Sequence, residues 1–226
     1  MASERKLSCV LFDLDGTLVD TAPDLIACLN KAFDHHGFTT AQPETIKPFI
    51  SFGAAEMIRI SLGDTVSAQD QDKILATMLD LYQSNIAEHS VFFEGIVETL
   101  EMIETKNLKW GVVTNKRERF TNPLMAALKL NERAACIISG DTTANPKPHP
   151  DPMLAACHQA NVNPEECVYI GDASHDIQAG KSVNMRTLAA LYGYLKPTDT
   201  PETWGADALI ESPEQLSIWI NTALCR

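Results

Sequence analysis

The sequence predicts an α/β protein built on a doubly wound, mainly parallel sheet, with a small helical domain inserted after the first strand. Three observations carry that prediction. Short β-rich runs alternate with helical patterns along most of the 226 residues. Several of those runs are apolar at successive positions, so both faces must be covered, as in parallel strands packed between helices. One long stretch, from Thr21 to His89, offers no convincing strand.

The elements follow in order. Cys9-Val10-Leu11-Phe12 is the first strand candidate. Thr21-Ala22-Pro23 opens a helix with Leu25, Ile26, Leu29, Ala32 and Phe33 at helical spacing, and Gly37 ends it. Two further helices are predicted, Gly53 to Leu62 and Ala68 to His89, the second with Ile74, Met78, Leu81 and Tyr82 on one face. Alternation then resumes. Helices are predicted over Ile96 to Lys106, Thr121 to Leu130, Asp151 to Asn161 and Asp176 to Asn184. Strands are predicted at Trp110 to Val113, Cys136 to Ile138, Val168 to Ile170, Thr187 to Ala190 and Ala208 to Ile210. Ser212 can cap a last helix, Pro213 fits its first position, and Gln215 completes a capping box. Strands separated by one helix each give a doubly wound sheet. The expected division is a core of residues 1–17 and 91–226 around an inserted domain of residues 18–90.

Composition narrows the class of function. With 45% hydrophobic and 21% charged residues, the chain has the make-up of a soluble globular protein. Its apolar runs are far shorter than the roughly 18 residues that cross a bilayer. Met1 to Leu7 is polar and carries no leader pattern, so a cytoplasmic location is expected. The six cysteines form no C-x-x-C pair and sit beside apolar neighbours, which predicts buried, reduced thiols. A formal charge of −12 argues against nucleic acid and anionic membranes as partners. An anionic substrate would therefore need strong positive potential supplied locally.

The first strand ends in Asp13-Leu14-Asp15-Gly16-Thr17. Ligands of open α/β sheets bind beyond the carboxyl ends of the strands, where these acids fall. Leu14 alternates away, leaving Asp13 and Asp15 on one side, and Gly16 permits a sharp turn. Two acids so close need a cation or a proton between them. On its own the pair is equally an ordinary strand ending. Other strand ends add to it: Thr114 and Asn115 after Val113, Lys147 between two prolines, Gly171-Asp172 after Ile170, and Asp176 one turn later. Acids, a hydroxyl, an amide and one restrained lysine would converge on one edge of the sheet.

Asp13-x-Asp15-Gly16-Thr17, Thr114-Asn115, Lys147 and Gly171-Asp172-x-x-x-Asp176 resemble, in order and spacing, the four motifs of the haloacid dehalogenase superfamily. The inserted helices look like its α-helical cap. The likeness covers essentially the whole chain and is nearest to the phosphoglycolate phosphatase branch and the N-acetylmuramic acid 6-phosphate phosphatases. It implies a Rossmann-like core and a Mg²⁺-dependent phosphomonoesterase acting on a small phosphorylated, carboxylate-bearing metabolite, as monomer or homodimer.

By the same resemblance, Asp13 is the nucleophile and Asp15 the acid and base. Thr114, Asn115 and Lys147 bind phosphate. The carboxylates of Asp13 and Asp172, with the main-chain carbonyl of Asp15, hold Mg²⁺, and Asp176 acts from behind them. An acid at Asp15 favours an oxygen leaving group over a halide, and the ATPase branch carries threonine there. Nothing marks Lys31, Lys47 or Lys73 as a Schiff-base lysine. A phosphoglucomutase-like phosphotransferase, or a module that binds phosphate without catalysis, are the alternatives. In the cap, Phe52, Gly53 and Arg59 are the candidate substrate readers, the last with Lys47 as a cation for a carboxylate. His149 and His175 lie inside motif loops and are candidates for touching the site.

Overall fold

The computed structural model describes residues 6–63 and 66–225. Among the described residues, eight strands and nine α-helices follow one another: β1 (Cys9–Phe12), β2 (Val19–Asp20), α1 (Ala22–His35), α2 (Pro43–Ile46), α3 (Ala54–Leu62), α4 (Ala68–Ser84), β3 (Val91–Phe92), α5 (Ile96–Thr105), β4 (Lys109–Val113), α6 (Glu118–Ala127), β5 (Cys136–Ile138), α7 (Asp151–Ala160), β6 (Cys167–Gly171), α8 (Ser174–Ser182), β7 (Arg186–Ala190), β8 (Ala208–Ile210) and α9 (Pro213–Leu224). The main sheet has the order β5-β4-β1-β6-β7-β8, and each neighbouring pair is parallel. Strand order therefore reverses beside β1, and a crevice opens at its carboxyl end.

Alternation along β1 shows why the sheet needs helices on both faces. Val10 and Phe12 pack into one apolar cluster with Leu100 of α5, Leu124 of α6 and Leu216 of α9. Cys9 and Leu11 point the other way, into a second cluster with Met153 and Cys157 of α7 and Ala179 of α8. Five of the six cysteines are buried and free, and only Cys225 is exposed.

Among the described residues, α1 to α4 occupy the stretch from Thr21 to His89, as its periodicity predicts, although α4 ends at Ser84 rather than His89. Leu25, Ile26, Leu29, Ala32 and Phe33 of α1 are all buried in a third cluster with Ile74, Met78 and Tyr82 of α4. Each such side chain contributes about 1.5–3 kcal/mol by leaving water. A short 3₁₀ segment, Lys47–Phe52, precedes α3. β2 and β3 form a two-residue antiparallel ribbon that the sequence did not announce. Asp24, buried in the first turn of α1, accepts the N–H groups of His89 and Ser90, both at 2.8 Å, and the Ser90 hydroxyl at 2.6 Å. The chain thus enters and leaves the helices at one place.

One helix start and one cap differ for local reasons. α6 begins at Glu118 rather than Thr121, with Pro123 inside it. Proline marks a first turn more often than an interior, which pulls a sequence-based start forward. At α9 the Ser212 hydroxyl accepts from Gln215 N–H as expected, but the Gln215 side chain accepts from Glu211 N–H rather than closing on Ser212.

Candidate active site

The crevice beyond β1 is built by its turn. Asp13 N–H donates to Ile170 O at 2.8 Å, so the ladder with β6 holds the first acid at the sheet edge. Gly16 then turns the chain with φ +82°, and a Cβ there would lie 2.2 Å from Asp172 Oδ2. Only glycine meets both demands. Asp15 takes two bonds from Lys116 Nζ, at 2.9 and 3.1 Å, and one from the Thr21 hydroxyl at 2.5 Å.

Lys147 lies at the centre of the site. Its side chain is fully buried, and its ammonium is within 3.0 Å of Asp13 Oδ1, Asp176 Oδ1, the Tyr169 hydroxyl and Val113 O. Its backbone is held by Asn115, whose side-chain amide donates to Lys147 O at 3.1 Å while its carbonyl oxygen accepts Lys147 N–H at 2.9 Å. The Asn115 side chain thus positions the lysine, and the residue also lines the cavity beside Thr114. Thr114 is buried beside Asp13 in the cavity lining, with its hydroxyl oxygen accepting Lys116 N–H. Asp176 caps α8 through Ala173 N–H at 3.0 Å. Asp172 Oδ2 accepts Tyr194 N–H at 2.8 Å and the Ser51 hydroxyl at 3.0 Å.

Asp13, Asp172 and Asp176 each place a carboxylate oxygen within 4.8 Å of the others, and all three are buried. Burial, aided by the neighbouring acids, pushes Asp13 above its ordinary value although Lys147 pulls it down. Burial pushes Asp172 up as well, with Asp13 and Asp176 adding to it. Burial also opposes charge on Asp176, but Lys147 overcomes it and holds that carboxyl low. Three buried acids thus stand close together with one ammonium, which bonds only Asp13 and Asp176 of the three. An all-oxygen donor set short of positive charge fits a hard divalent cation.

A cavity of about 740 Å³ opens above these groups. Asp13, Asp15, Thr114, Lys116 and Lys147 floor it, and Leu25, Ile50, Met57, Leu75, Leu79 and Phe120 wall it. Phe52 and Gly53 line it, as does His175. Gly53 has φ +90°, which a side chain would strain, though open space surrounds its Cα. The Phe52 ring meets His175 edge-on at 6.1 Å, and Lys196 Nζ lies 3.8 Å from its centroid. Burial holds His175 below its usual range, with Asp176 opposing. Arg59 falls elsewhere: it is half exposed, bonds both oxygens of Glu56, and is absent from the cavity lining. Lys47 bonds Asp20 at 3.1 Å, and His149 sits outside against Asp151. Lys116, Tyr82, Tyr169 and Tyr194 were not anticipated as site residues, and Ser51 enters the site beside the candidate readers Phe52 and Gly53. Lys116, directly after Thr114-Asn115, and Tyr169, two residues before Gly171, carried a signal as neighbours of motif residues.

Residues 10–190 match the haloacid dehalogenase-like hydrolases, and the chain belongs to that family. It is a phosphoric monoester hydrolase, as its relatives are. N-acetylmuramic acid 6-phosphate phosphatase of Pseudomonas putida is 41% identical over 97% of this chain and 99% of its own length. Phosphoglycolate phosphatase of Xylella fastidiosa is 38% identical over 94% of each. The crystal structure of a predicted phosphoglycolate phosphatase from Haemophilus somnus shares the fold, with a TM-score of 0.83 over 97% of this chain and 100% of its own at 23% identity. Among the described residues no helix is long and apolar enough to cross a membrane.

Proposed function

We propose that the chain hydrolyses N-acetylmuramic acid 6-phosphate or a close relative, through phosphorylation of Asp13. The observation that carries the chemistry is the contact of Asp13 with the buried Lys147 ammonium at 2.9 Å, with Asp15 two residues on. Asp13 Oδ attacks phosphorus, the bond to the leaving oxygen breaks, and Asp15 gives that oxygen a proton. Asp15 then takes a proton from water as its oxygen attacks phosphorus, and the bond to Asp13 breaks, restoring the carboxylate. Lys147 and the Thr114 hydroxyl offset charge on the phosphoryl oxygens, held in place beforehand by Asn115 and Tyr169. Such preorganised electrostatics is usually the largest catalytic contribution. Asp13, Asp172 and the Asp15 carbonyl would hold Mg²⁺, with Asp176 behind them, and the ion would add positive charge facing the phosphate.

The cavity supports the larger substrate. Glycolate would fill a small part of about 740 Å³ and leave the apolar wall wet. An N-acetylated amino sugar bearing a lactyl ether brings methyl groups to meet that wall. The relatives named for this ester and for phosphoglycolate leave both substrates in view. Measuring kcat/KM for both compounds on one preparation decides between them. A preference for phosphoglycolate above about tenfold, about 1.4 kcal/mol in transition-state binding, rules out the amino-sugar assignment.

A further inference from the structure

The apolar wall of the cavity is interrupted at one point. Tyr82 of α4 lines the cavity with its side chain buried, and its phenolic hydroxyl has no hydrogen-bond partner. A buried hydroxyl left unpaired is uncommon and costly. Burial pushes it up to about 12, with the Lys116 charge working against the rise, yet no hydrogen bond of ordinary geometry joins the two. The Lys116 ammonium lies 4.7 Å from the Tyr82 ring centroid, on a side chain only 7% exposed. A lysine has three N–H donors, and the bonds of Lys116 to the two Asp15 oxygens leave one. One uncommitted N–H and one orphaned O–H therefore stand together, the first on the core and the second on the inserted helices.

Apart from Arg117, the other cations named near the site are engaged. Lys147 is enclosed by its four oxygen neighbours, Lys47 is bonded to Asp20, and Arg59 is turned outward to Glu56. Arg117 lines the cavity as an exposed side chain.

We propose that Lys116 and Tyr82 are the specificity-determining pair, jointly taking a carboxylate carried by the substrate's leaving group. This rests on the phosphomonoesterase reading above and deepens it. A carboxylate has two oxygens, one for each donor, and its charge is met by an ammonium shared with Asp15. A bond from an ionised donor to an ionised acceptor is strong where water is excluded. A substrate without the acid leaves both donors unpaired, the condition under which sites discriminate sharply.

The test compares kcat/KM for N-acetylmuramic acid 6-phosphate with that for N-acetylglucosamine 6-phosphate, which lacks the lactyl carboxylate. Wild type should prefer the carboxylated sugar by about tenfold or more. Tyr82→Phe and Lys116→Met should each cut that preference at least about fivefold, and Lys116→Arg should keep most of it. A change that acts only through Asp15 slows both sugars and leaves the ratio untouched. Tyr82→Phe should not lower Tm, because the deleted hydroxyl has no partner, so this variant serves even if Lys116→Met fails to fold. An unchanged ratio in Tyr82→Phe and Lys116→Met overturns the proposal, as does a wild type indifferent to the carboxylate. If neither sugar is hydrolysed, the amino-sugar assignment fails, and the pair is judged by phosphoglycolate against ethyl phosphate. A preference for phosphoglycolate that both variants reduce then upholds the pair, and an equal rate on the two esters ends it.

Discussion

The Ser51 hydroxyl, carried by the inserted helices, donates to Asp172 Oδ2 at 3.0 Å. The same oxygen accepts Tyr194 N–H at 2.8 Å, while Asp172 Oδ1 has only the Thr17 hydroxyl at 3.4 Å. One oxygen of this acid is thus occupied and the other is comparatively free. Groups that orient a ligand in this way typically govern metal affinity by about 10–100-fold. With the Tyr194 donor retained, Ser51→Ala should raise the Mg²⁺ concentration for half-maximal activity by about tenfold or less. A metal titration of both proteins checks this, and an unchanged midpoint would show that the cap does not tune Asp172.

Asp13→Asn should reduce turnover to background while the protein stays folded. The amide is not a nucleophile, and the change relieves a buried carboxyl that burial already disfavours as an anion. Asp15→Asn should retain some activity, losing about 10²–10⁴-fold. The loss should be smaller with an activated aryl phosphate, whose leaving oxygen needs little help from a proton. Rates on both ester types, beside circular dichroism, separate the two roles. Near-normal kcat in Asp13→Asn would end the covalent mechanism.

Chelation should abolish activity, and Mg²⁺ or Mn²⁺ should restore it. Ca²⁺ should inhibit, because it takes 6–8 ligands and can engage both oxygens of Asp13. Asp172→Ala should shift the Mg²⁺ midpoint far more than Lys147→Ala, which should mainly lower kcat. Equal midpoint shifts in the two variants would contradict the division of labour between them.

Tyr169→Phe should be destabilising. Its hydroxyl donates to Val113 O at 2.8 Å and accepts from Lys147 Nζ at 2.8 Å inside the sheet edge. Leaving those groups unpaired costs about 1–3 kcal/mol, and each kcal/mol lowers Tm by about 2–4 °C in a chain of this size. Thermal unfolding of the metal-free protein measures it. No loss of Tm would mean that water replaces the hydroxyl.

Much of this architecture was legible in the residues. The strands of the main sheet announce themselves because both of their faces are buried, and the site acids because strands end beside them. β2 and β3 did not, since two residues carry no periodicity. The partners that complete the site are remote in the chain: Lys116 and Asp15 are 101 residues apart, and Ser51 and Asp172 are 121 apart. Nothing local to either member signals such a pair. Arg59 is the opposite case. Glu56 lies three residues before it on one helix, and that spacing alone favours an exposed ion pair over a role in the cavity.

The two-residue ribbon has a larger meaning than its length suggests. Val19 lies opposite Phe92, Asp20 lies opposite Val91, and Asp24 fastens the returning backbone. The departing and returning chains are one strand's width apart, about 4.8 Å. A segment joined so closely at its ends can grow, shrink or be exchanged without altering the path of the sheet. The groups that break the ester therefore lie on the core, and the inserted stretch reaches over them with Tyr82 to judge, together with Lys116, what the ester is attached to. The share of selectivity carried by residues 21 to 90, Tyr82 included, can be rewritten while the acids and the lysines of the core keep their places.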